Sequence, residues 1–204
     1  MTSHCVLAPA DYRRMSWKNG GGHTFEIAVH PEGAGMAEFA WRVSVADVAQ
    51  DGAFSRFPGV DRTLVLLAGN GVRLEGAGDP LDLRTPYEPV TFTGEAEIDC
   101  VLADGPVRDF NLMVRRDAAS GAVIVVREGP MAMAPARAYV CYAAAGVSEC
   151  LLAGYPPLVV APEHSLVVLV DPDTTPPALH VNPTSAQSVA LVAVIGARGT
   201  GLVQ

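Results

Sequence analysis

Lysine is almost absent from this chain of 204 residues, which contains 13 arginines and a single lysine, Lys18. Acidic residues outnumber basic residues by 22 to 14, and the formal net charge is −8. A protein that binds nucleic acid needs a basic face for the phosphates, so this charge balance argues against a nucleic-acid partner. Because lysine is so rare here, Lys18 itself becomes a candidate functional residue.

Long helices are not expected either, because 20 glycines and 16 prolines interrupt the chain throughout. Half of the residues are apolar (50%) and only 18% are charged, a composition that excludes an intrinsically disordered chain. A turn-rich β protein is the first expectation. One or two helical turns are predicted only at residues 45–50.

The short motifs of metal, redox and hydrolase sites are missing. The four cysteines form no C-x-x-C pair, which excludes a zinc ribbon, a thioredoxin motif and a disulfide framework and predicts buried, reduced thiols. The five histidines form neither H-x-H nor H-E-x-x-H, and no G-x-S-x-G occurs. We therefore expect neither a metal nor another cofactor.

Targeting and membrane segments are not expected. The first 17 residues lack a basic start followed by an apolar core, so no secretory signal is predicted. Residues 174–197 carry no charge but contain three prolines, which do not suit a membrane-spanning helix. We expect a cytoplasmic protein that does not bind a membrane.

Alternation of apolar and polar residues predicts many short strands. Residues 24–29, 39–45 and 110–115 each place their large apolar side chains on one face, for example Phe25, Ile27 and Val29. Further β-rich runs are 63–67, 90–93, 98–102, 122–127, 138–142, 158–161, 166–170 and 189–195. Ten or more such strands, separated by Gly and Pro clusters, are typical of a barrel or sandwich of jelly-roll type.

Polar residues gather opposite these apolar faces and in two loops. The strand residues are Thr24, Glu26, Arg42, Ser44, Asn111 and Arg115. Lys18 and Asn19 precede a run of three glycines that could bring backbone close to a ligand. Pro58-Gly59 predicts a type II turn before Asp61 and Arg62.

Taken in order, these segments resemble the HutD/Ves family. The matching stretches are WKNGGG (17–22) with Thr24 and Glu26, WRVS (41–44), FSRFPGVDR (54–62), 89–94, and DFNLMVRR (109–116). They cover residues 12–116. The remainder matches only in general character, with the strand run 158–170 where the family's second barrel would lie.

The resemblance implies a bicupin, in which two small antiparallel β-barrels of jelly-roll type pack together. We expect an N-terminal barrel at residues 1–116 and a more apolar C-terminal barrel at 117–204; strand exchange between the two barrels is compatible with this division. The division follows the charge, because 27 of the 36 charged residues precede residue 117. The family is associated with bacterial histidine utilisation, and its Ves branch with stress.

The same resemblance implies a metal-independent protein that binds a small carboxylate of histidine catabolism, of the formylglutamate, urocanate or formate class, and modulates histidine utilisation. Lys18, Arg42 and Arg62 are predicted to form its cationic pocket, because guanidinium groups can bind a carboxylate in bidentate fashion. Glu26 and Asp61 would orient the arginines. The remaining candidate ligand-binding residues are Asn19, Ser44, Asn111 and Arg115.

Two other classes of function stay open. A metal-free cupin isomerase or lyase would use Glu26, or with less support His23, for proton transfer; turnover of histidine-pathway acids would separate it from a binder. A structural or interaction module would use the apolar second half as an interface, for example in a homodimer. The absence of a pocket around Lys18 and Arg42 would favour that module. A metal-dependent dioxygenase is disfavoured because its ligands are missing.

Overall fold

The computed structural model describes residues 1–17, 19–76 and 78–198. Within them the secondary structure consists of 19 β-strands and one three-residue 3-10 helix, Pro9–Asp11, and every strand pairing is antiparallel. The expectation of an all-β protein is confirmed. No helix in the described part of the chain has the length and apolar character needed to cross a membrane.

The chain divides into two compact units. Unit A is Arg13–Ala118, and unit B combines Met1–Tyr12 with the segment that begins at Ala119. The first twelve residues therefore belong with the second half of the chain. Their strand pairs along its whole length with a strand near residue 168, which a simple division at residue 116 does not foresee.

Unit A contains ten strands in two sheets. In chain order they are β2 (Arg13–Ser16), β3 (Gly22–His30), β4 (Trp41–Val48), β5 (Gly52–Ala53), β6 (Val60–Ala68), β7 (Val72–Glu75), β8 (Leu81–Leu83), β9 (Pro89–Thr93), β10 (Asp99–Leu102) and β11 (Val107–Arg115). One sheet has the order β2-β3-β4-β11-β6-β9, and the other has the order β5-β10-β7-β8. Apolar residues of both sheets form one shared core.

Unit B contains the other nine strands, also in two sheets with a shared core. They are β1 (Thr2–Leu7), β12 (Ala119–Val126), β13 (Met131–Ala132), β14 (Ala138–Ala145), β15 (Ser148–Leu152), β16 (Leu158–Val160), β17 (Ser165–Val170), β18 (Leu179–Pro183) and β19 (Val189–Ala197). The sheet orders are β1-β17-β14-β19-β12 and β13-β18-β15-β16.

The two units repeat one pattern of strand pairing. In unit A, the eight strands β4 to β11 pair as β4-β11-β6-β9 and β5-β10-β7-β8. In unit B, β12 to β19 pair in the same relative order, as β12-β19-β14-β17 and β13-β18-β15-β16. The sequence shows no corresponding repeat, because the two units share the order in which their strands pair and not the residues of those strands.

Two local predictions are wrong. Residues 45–50 do not form a helix, since β4 continues to Val48 and pairs with β3 on one side and β11 on the other; these two ladders outweigh the local pattern. In β3 the register shifts between Glu26 and Ala28, which leaves Ile27 in a bulge. Val29 therefore pairs with Arg42 and shares its face, instead of the face of Phe25.

The prediction of buried, reduced thiols holds for three of the four cysteines. All four are free, and Cys100, Cys141 and Cys150 are buried. Cys5 is exposed, because β1 is the edge strand of its sheet and alternates its side chains towards solvent.

Candidate functional site

Three neighbouring rows of paired residues cross the larger sheet of unit A, and each row contains at least one polar side chain. In an antiparallel sheet, directly paired residues on adjacent strands point to the same face. Across β4, β11 and β6, the rows are Arg42, Met113 and Arg62; then Ser44, Asn111 and Leu64; then Ala46, Asp109 and Leu66. The register thus brings residues far apart in sequence to one face of unit A.

This face borders a cavity of about 670 Å³. The volume lies within the range typical of small-molecule sites. Apolar walls come from Trp17, Phe54, Phe57 and Leu64 among others. The polar side chains that line it are Ser16, Asn19, Thr24, Arg42, Ser44, Ser55, Arg62, Asp109 and Asn111.

Arg42 is buried and is held by a carboxylate on the neighbouring strand. Its Nε donates to Oε2 of Glu26 over 2.6 Å, and both side chains are less than a tenth exposed. The exposed Arg13 lies on the other side of that carboxylate, with Nη1 3.7 Å from Oε1. Among the described residues, the only further hydrogen-bond contact of the Arg42 guanidinium joins Nη1 to Sδ of Met113 at 4.0 Å. Its outer nitrogens are therefore available to a ligand.

Arg62 is the second buried guanidinium of the cavity, and three aromatic rings surround it. Its Cζ lies 4.9 Å from the centre of Phe54, 5.2 Å from that of Phe92 and 5.8 Å from that of Phe57. Burial lowers the pKa of Arg62 to about 10, against the opposing effect of Asp109 and with a further lowering by Arg42. The group still carries a full charge at neutral pH. Its buried Nε has no hydrogen-bond partner within the described residues.

Asp109 is a buried carboxyl that the sequence analysis did not select. Burial raises its pKa to about 7, and Asp47 adds to this shift, whereas Arg62 and Arg108 oppose it. Its Oδ1 is buried and finds no hydrogen-bond partner in the described part of the chain. Strand alternation could have indicated Asp109 as a site residue, because residues 109, 111 and 113 share one face of β11.

The structure brings together most of the predicted ligand-binding residues. Those that line the cavity are Asn19, Arg42, Ser44, Arg62 and Asn111. Glu26 does not line it but holds Arg42 from the adjacent strand, as expected for an orienting carboxylate. Lys18 lies outside the described residues.

Two predicted site residues lie elsewhere. Asp61 accepts a hydrogen bond from Nη1 of Arg116 at 2.6 Å, so it orients neither cavity arginine. Successive residues of a strand point to opposite faces, and Asp61 therefore faces away from its neighbour Arg62. Arg115 donates to the carbonyls of Phe39 and Ala37 over 3.0 and 2.9 Å and does not line the cavity.

The glycine run after Asn19 has a packing reason. Oδ1 of Asn19 accepts the backbone N–H of Gly21 over 3.0 Å and closes the turn. A Cβ on Gly22 would lie 2.3 Å from the carbonyl oxygen of Asp47 and 3.2 Å from the ring of Trp17. Gly22 therefore lets the loop and the ring of Trp17 lie close against β4 at the edge of the cavity.

Metal-ligating side chains do not cluster within residues 1–17, 19–76 and 78–198. Nowhere in these ranges do three or more His, Cys, Asp or Glu side chains lie close enough to hold a metal ion. The side chains that do converge on the cavity are guanidinium, amide, hydroxyl and carboxyl groups, which suit an organic anion with hydrogen-bonding groups.

Comparison with known proteins identifies the family. The chain matches the model of the HutD family over residues 9–182. It belongs to the HutD family, which confirms the resemblance seen in the sequence.

Curated relatives match over part of their length. An uncharacterised 21.2 kDa protein from the hutC 3' region of Pseudomonas putida is 44% identical over 108 residues, 53% of this chain and 56% of that protein. Protein Ves of Citrobacter koseri is 40% identical over 111 residues, 52% of this chain and 57% of that protein. The matched stretch thus spans little more than half the length of these relatives.

Solved structures match over nearly the whole chain. A conserved protein of unknown function from Pseudomonas aeruginosa PAO1 has a TM-score of 0.85 and 30% identity, with 96% of this chain and all of that one covered. HutD from Pseudomonas fluorescens SBW25, in a formate condition, has a TM-score of 0.79 and 30% identity, with coverages of 97% and 100%. A Bacillus subtilis oxalate decarboxylase shares the fold alone, with a TM-score of 0.61 and 7% identity over 96% of this chain and 78% of that one.

Proposed function

We propose that the cavity of unit A binds a small carboxylate without a metal, and that Arg42 and Arg62 hold it. The observation that carries this proposal is the pair of buried guanidinium groups on one cavity wall, of which only Arg42 has a buried carboxylate as a direct partner. Arg42 and Arg62 carry two positive charges against the carboxylate of Glu26 and Asp109, whose raised pKa of about 7 leaves it about half ionised at neutral pH, so the wall keeps a net positive charge. A carboxylate of the ligand supplies the missing charge and accepts two parallel N–H bonds from each guanidinium it faces.

The proposed ligand is a metabolite of histidine catabolism, of the formylglutamate, urocanate or formate class, and its binding modulates histidine utilisation in the cytoplasm. Two comparisons support this class. One relative lies in the hutC 3' region of P. putida, and the HutD structure of P. fluorescens was obtained in a formate condition. The cavity volume of about 670 Å³ leaves room for the larger acids as well as for formate.

We also propose that each unit is a cupin barrel of jelly-roll type, so that the whole chain is a bicupin. The support is the repeated pairing of eight strands in two four-membered sets, which is the pairing of a double-sheet jelly roll. The likeness in fold to the B. subtilis oxalate decarboxylase agrees with it. In this arrangement β1 is exchanged, since it completes a sheet of unit B.

Isothermal titration with formylglutamate, urocanate and formate tests the binding site. We expect one of these acids to bind the wild-type protein and Arg42→Ala to abolish the binding. Arg56→Ala is a matched control, because Arg56 is an exposed arginine that pairs with Glu97 and does not line the cavity. Equal affinity of wild type and Arg42→Ala would reject the proposal.

A metal-free isomerase or lyase is the second candidate, and Asp109 favours it. Glu26 is engaged with Arg42, whereas Asp109 lines the cavity and burial raises its pKa to about 7, which suits a general acid or base at neutral pH. Turnover of a histidine-pathway acid that Asp109→Asn removes would establish this activity. Turnover unchanged in Asp109→Asn would exclude that role for Asp109.

A homodimer through unit B is a further proposal. Most of the large apolar side chains exposed in the described residues lie in this unit: Met1, Val6, Met131, Leu151, Tyr155, Val159 and Leu169. Leu151 and Val159 lie on one face of the neighbouring strands β15 and β16, and adjacent exposed apolar side chains are typical of an association surface. Light scattering should give twice the monomer mass for the wild type and the monomer mass for Val159→Glu; a monomeric wild type contradicts the proposal.

A further inference from the structure

Two buried oxygen atoms beside the cavity have no hydrogen-bond partner among the described residues. They are Oδ1 of Asp109 and Oδ1 of Asn111, and the two residues are only 3% and 8% exposed. Buried polar atoms in native proteins are nearly always hydrogen-bonded. Two orphaned acceptors on one cavity wall therefore indicate a partner that the chain itself does not supply.

These acceptors follow the arginine row along the same strand. Met113 lies between Arg42 and Arg62 in the register, and Asn111 and Asp109 occupy the next two inward positions of β11. Successive inward residues are about 7 Å apart, because an antiparallel strand rises roughly 3.4 Å per residue. One small molecule that contacts the guanidinium groups can therefore reach Asn111, which is one such step away, and Asp109 lies close enough to Arg62 for the two charges to interact.

We propose that Asp109 and Asn111 form an acceptor subsite for an N–H group of the ligand whose carboxylate Arg42 and Arg62 hold. This inference rests on the proposed carboxylate site and narrows its ligand to small acids that carry an amide, ammonium or azole N–H at the far end. A carboxylate or amide oxygen accepts such a donor directly. An ester or ether at the same place has no proton to offer and leaves both acceptors unsatisfied.

Water is the competing partner for these oxygens. An ordered water satisfies buried acceptors equally well, but it gives no preference between ligands with and without an N–H. Sites built to hydrogen-bond a donor reject the analogue that lacks it, because the buried acceptors are then left unpaired. Ligand selectivity therefore distinguishes the two cases.

Two matched monocarboxylates provide the test with the full-length protein. 4-Carbamoylbutyrate ends in an amide with two N–H bonds, and monomethyl glutarate has an ester in the same position. We expect titration calorimetry to show roughly tenfold tighter binding of the amide to the wild type. Asp109→Ala should reduce this preference to about threefold or less.

Asp82→Ala is the matched control, because Asp82 is an exposed carboxylate of β8 that pairs with Arg84 and does not line the cavity; it should keep the full preference. If Asp109→Ala does not fold, Asn111→Ala replaces it with the same expected loss. Equal binding of amide and ester by the wild type, or an undiminished preference in the folded variant, overturns the acceptor subsite and leaves the carboxylate site standing. Failure of both compounds to bind overturns both proposals.

Discussion

Arg42 and Glu26 form a buried ion pair across β3 and β4, with Nε of the arginine 2.6 Å from Oε2 of the glutamate. The pair is possible because Glu26 pairs with Ser44 of β4, and Ser44 lies two residues from Arg42 on the same face of that strand. It fixes one end of the guanidinium and leaves the other end facing the cavity. The orientation of the proposed anion site therefore depends on a residue that does not line it.

Glu26→Ala should destabilise the protein, because it leaves the Arg42 charge buried without its partner. Removal of one partner from a buried pair costs about 3–5 kcal/mol in the free energy of unfolding, measured by urea denaturation. Glu97→Ala is the control, since Glu97 forms an exposed pair with Arg56 and its loss should cost about 1 kcal/mol or less. Equal effects of the two changes would show that burial adds nothing to the Glu26 pair.

Arg62→Lys should weaken carboxylate binding by roughly tenfold, because a lysine lacks both the planar fork and the stacking on Phe54 and Phe92. Titration calorimetry measures the change. Arg73→Lys is the control, since Arg73 is an exposed arginine of β7 outside the cavity. The Arg73→Lys protein should bind the ligand with wild-type affinity. An Arg62→Lys protein with wild-type affinity would remove Arg62 from the site.

Asp109→Asn should change the pH dependence of stability. The pKa of Asp109 is raised from 3.8 to about 7 in the folded protein, so the folded state binds more protons than the unfolded state between these values. The contribution of Asp109 to stability therefore falls as the pH rises through this window, by on the order of 4 kcal/mol. Burial is the main cause of the raised pKa of Asp109; Asp47 adds to it, whereas Arg62 and Arg108 oppose it.

Urea denaturation of wild type and Asp109→Asn at pH 4.5 and pH 8 measures this effect. We expect the variant to gain stability relative to the wild type as the pH rises. A stability difference that is the same at both pH values would show that Asp109 is not a buried, titrating carboxyl.

Gly22→Ala should destabilise unit A, because its Cβ would lie 2.3 Å from the carbonyl oxygen of Asp47. Overpacking of this kind costs about 1–3 kcal/mol, measured by thermal or urea unfolding. Gly35→Ala is the control, since its Cβ would meet only Glu38 at 3.7 Å. If both variants unfold like the wild type, the loop before β3 is not held against β4 by close packing.

Strand alternation was enough to predict much of the site. It placed Arg42 and Ser44 on one face of β4, and Asn111 on the matching face of β11, and the structure gathers these three residues at the cavity. The all-β class, with more than ten strands, followed from the same period-2 pattern and the density of turns. These features are local, and a sequence reports local features directly.

The rest depends on pairing between distant strands. The bulge at Ile27 reverses the face of Val29, and only the ladder with β4 shows it. Asp61 lost its expected role because Arg116, at the far end of β11, reaches its carboxylate. Asp109 was missed because its burial and its proximity to Arg62 arise from the fold. The pairing of β1 with β17 is likewise a contact between distant parts of the chain.

A crystal structure of the protein grown with formylglutamate tests the central claim most directly. The account predicts a ligand carboxylate within about 3 Å of guanidinium nitrogens of both Arg42 and Arg62, in the cavity of unit A. A carboxylate bound to other residues, with both guanidinium groups left as they are in the free protein, would contradict it.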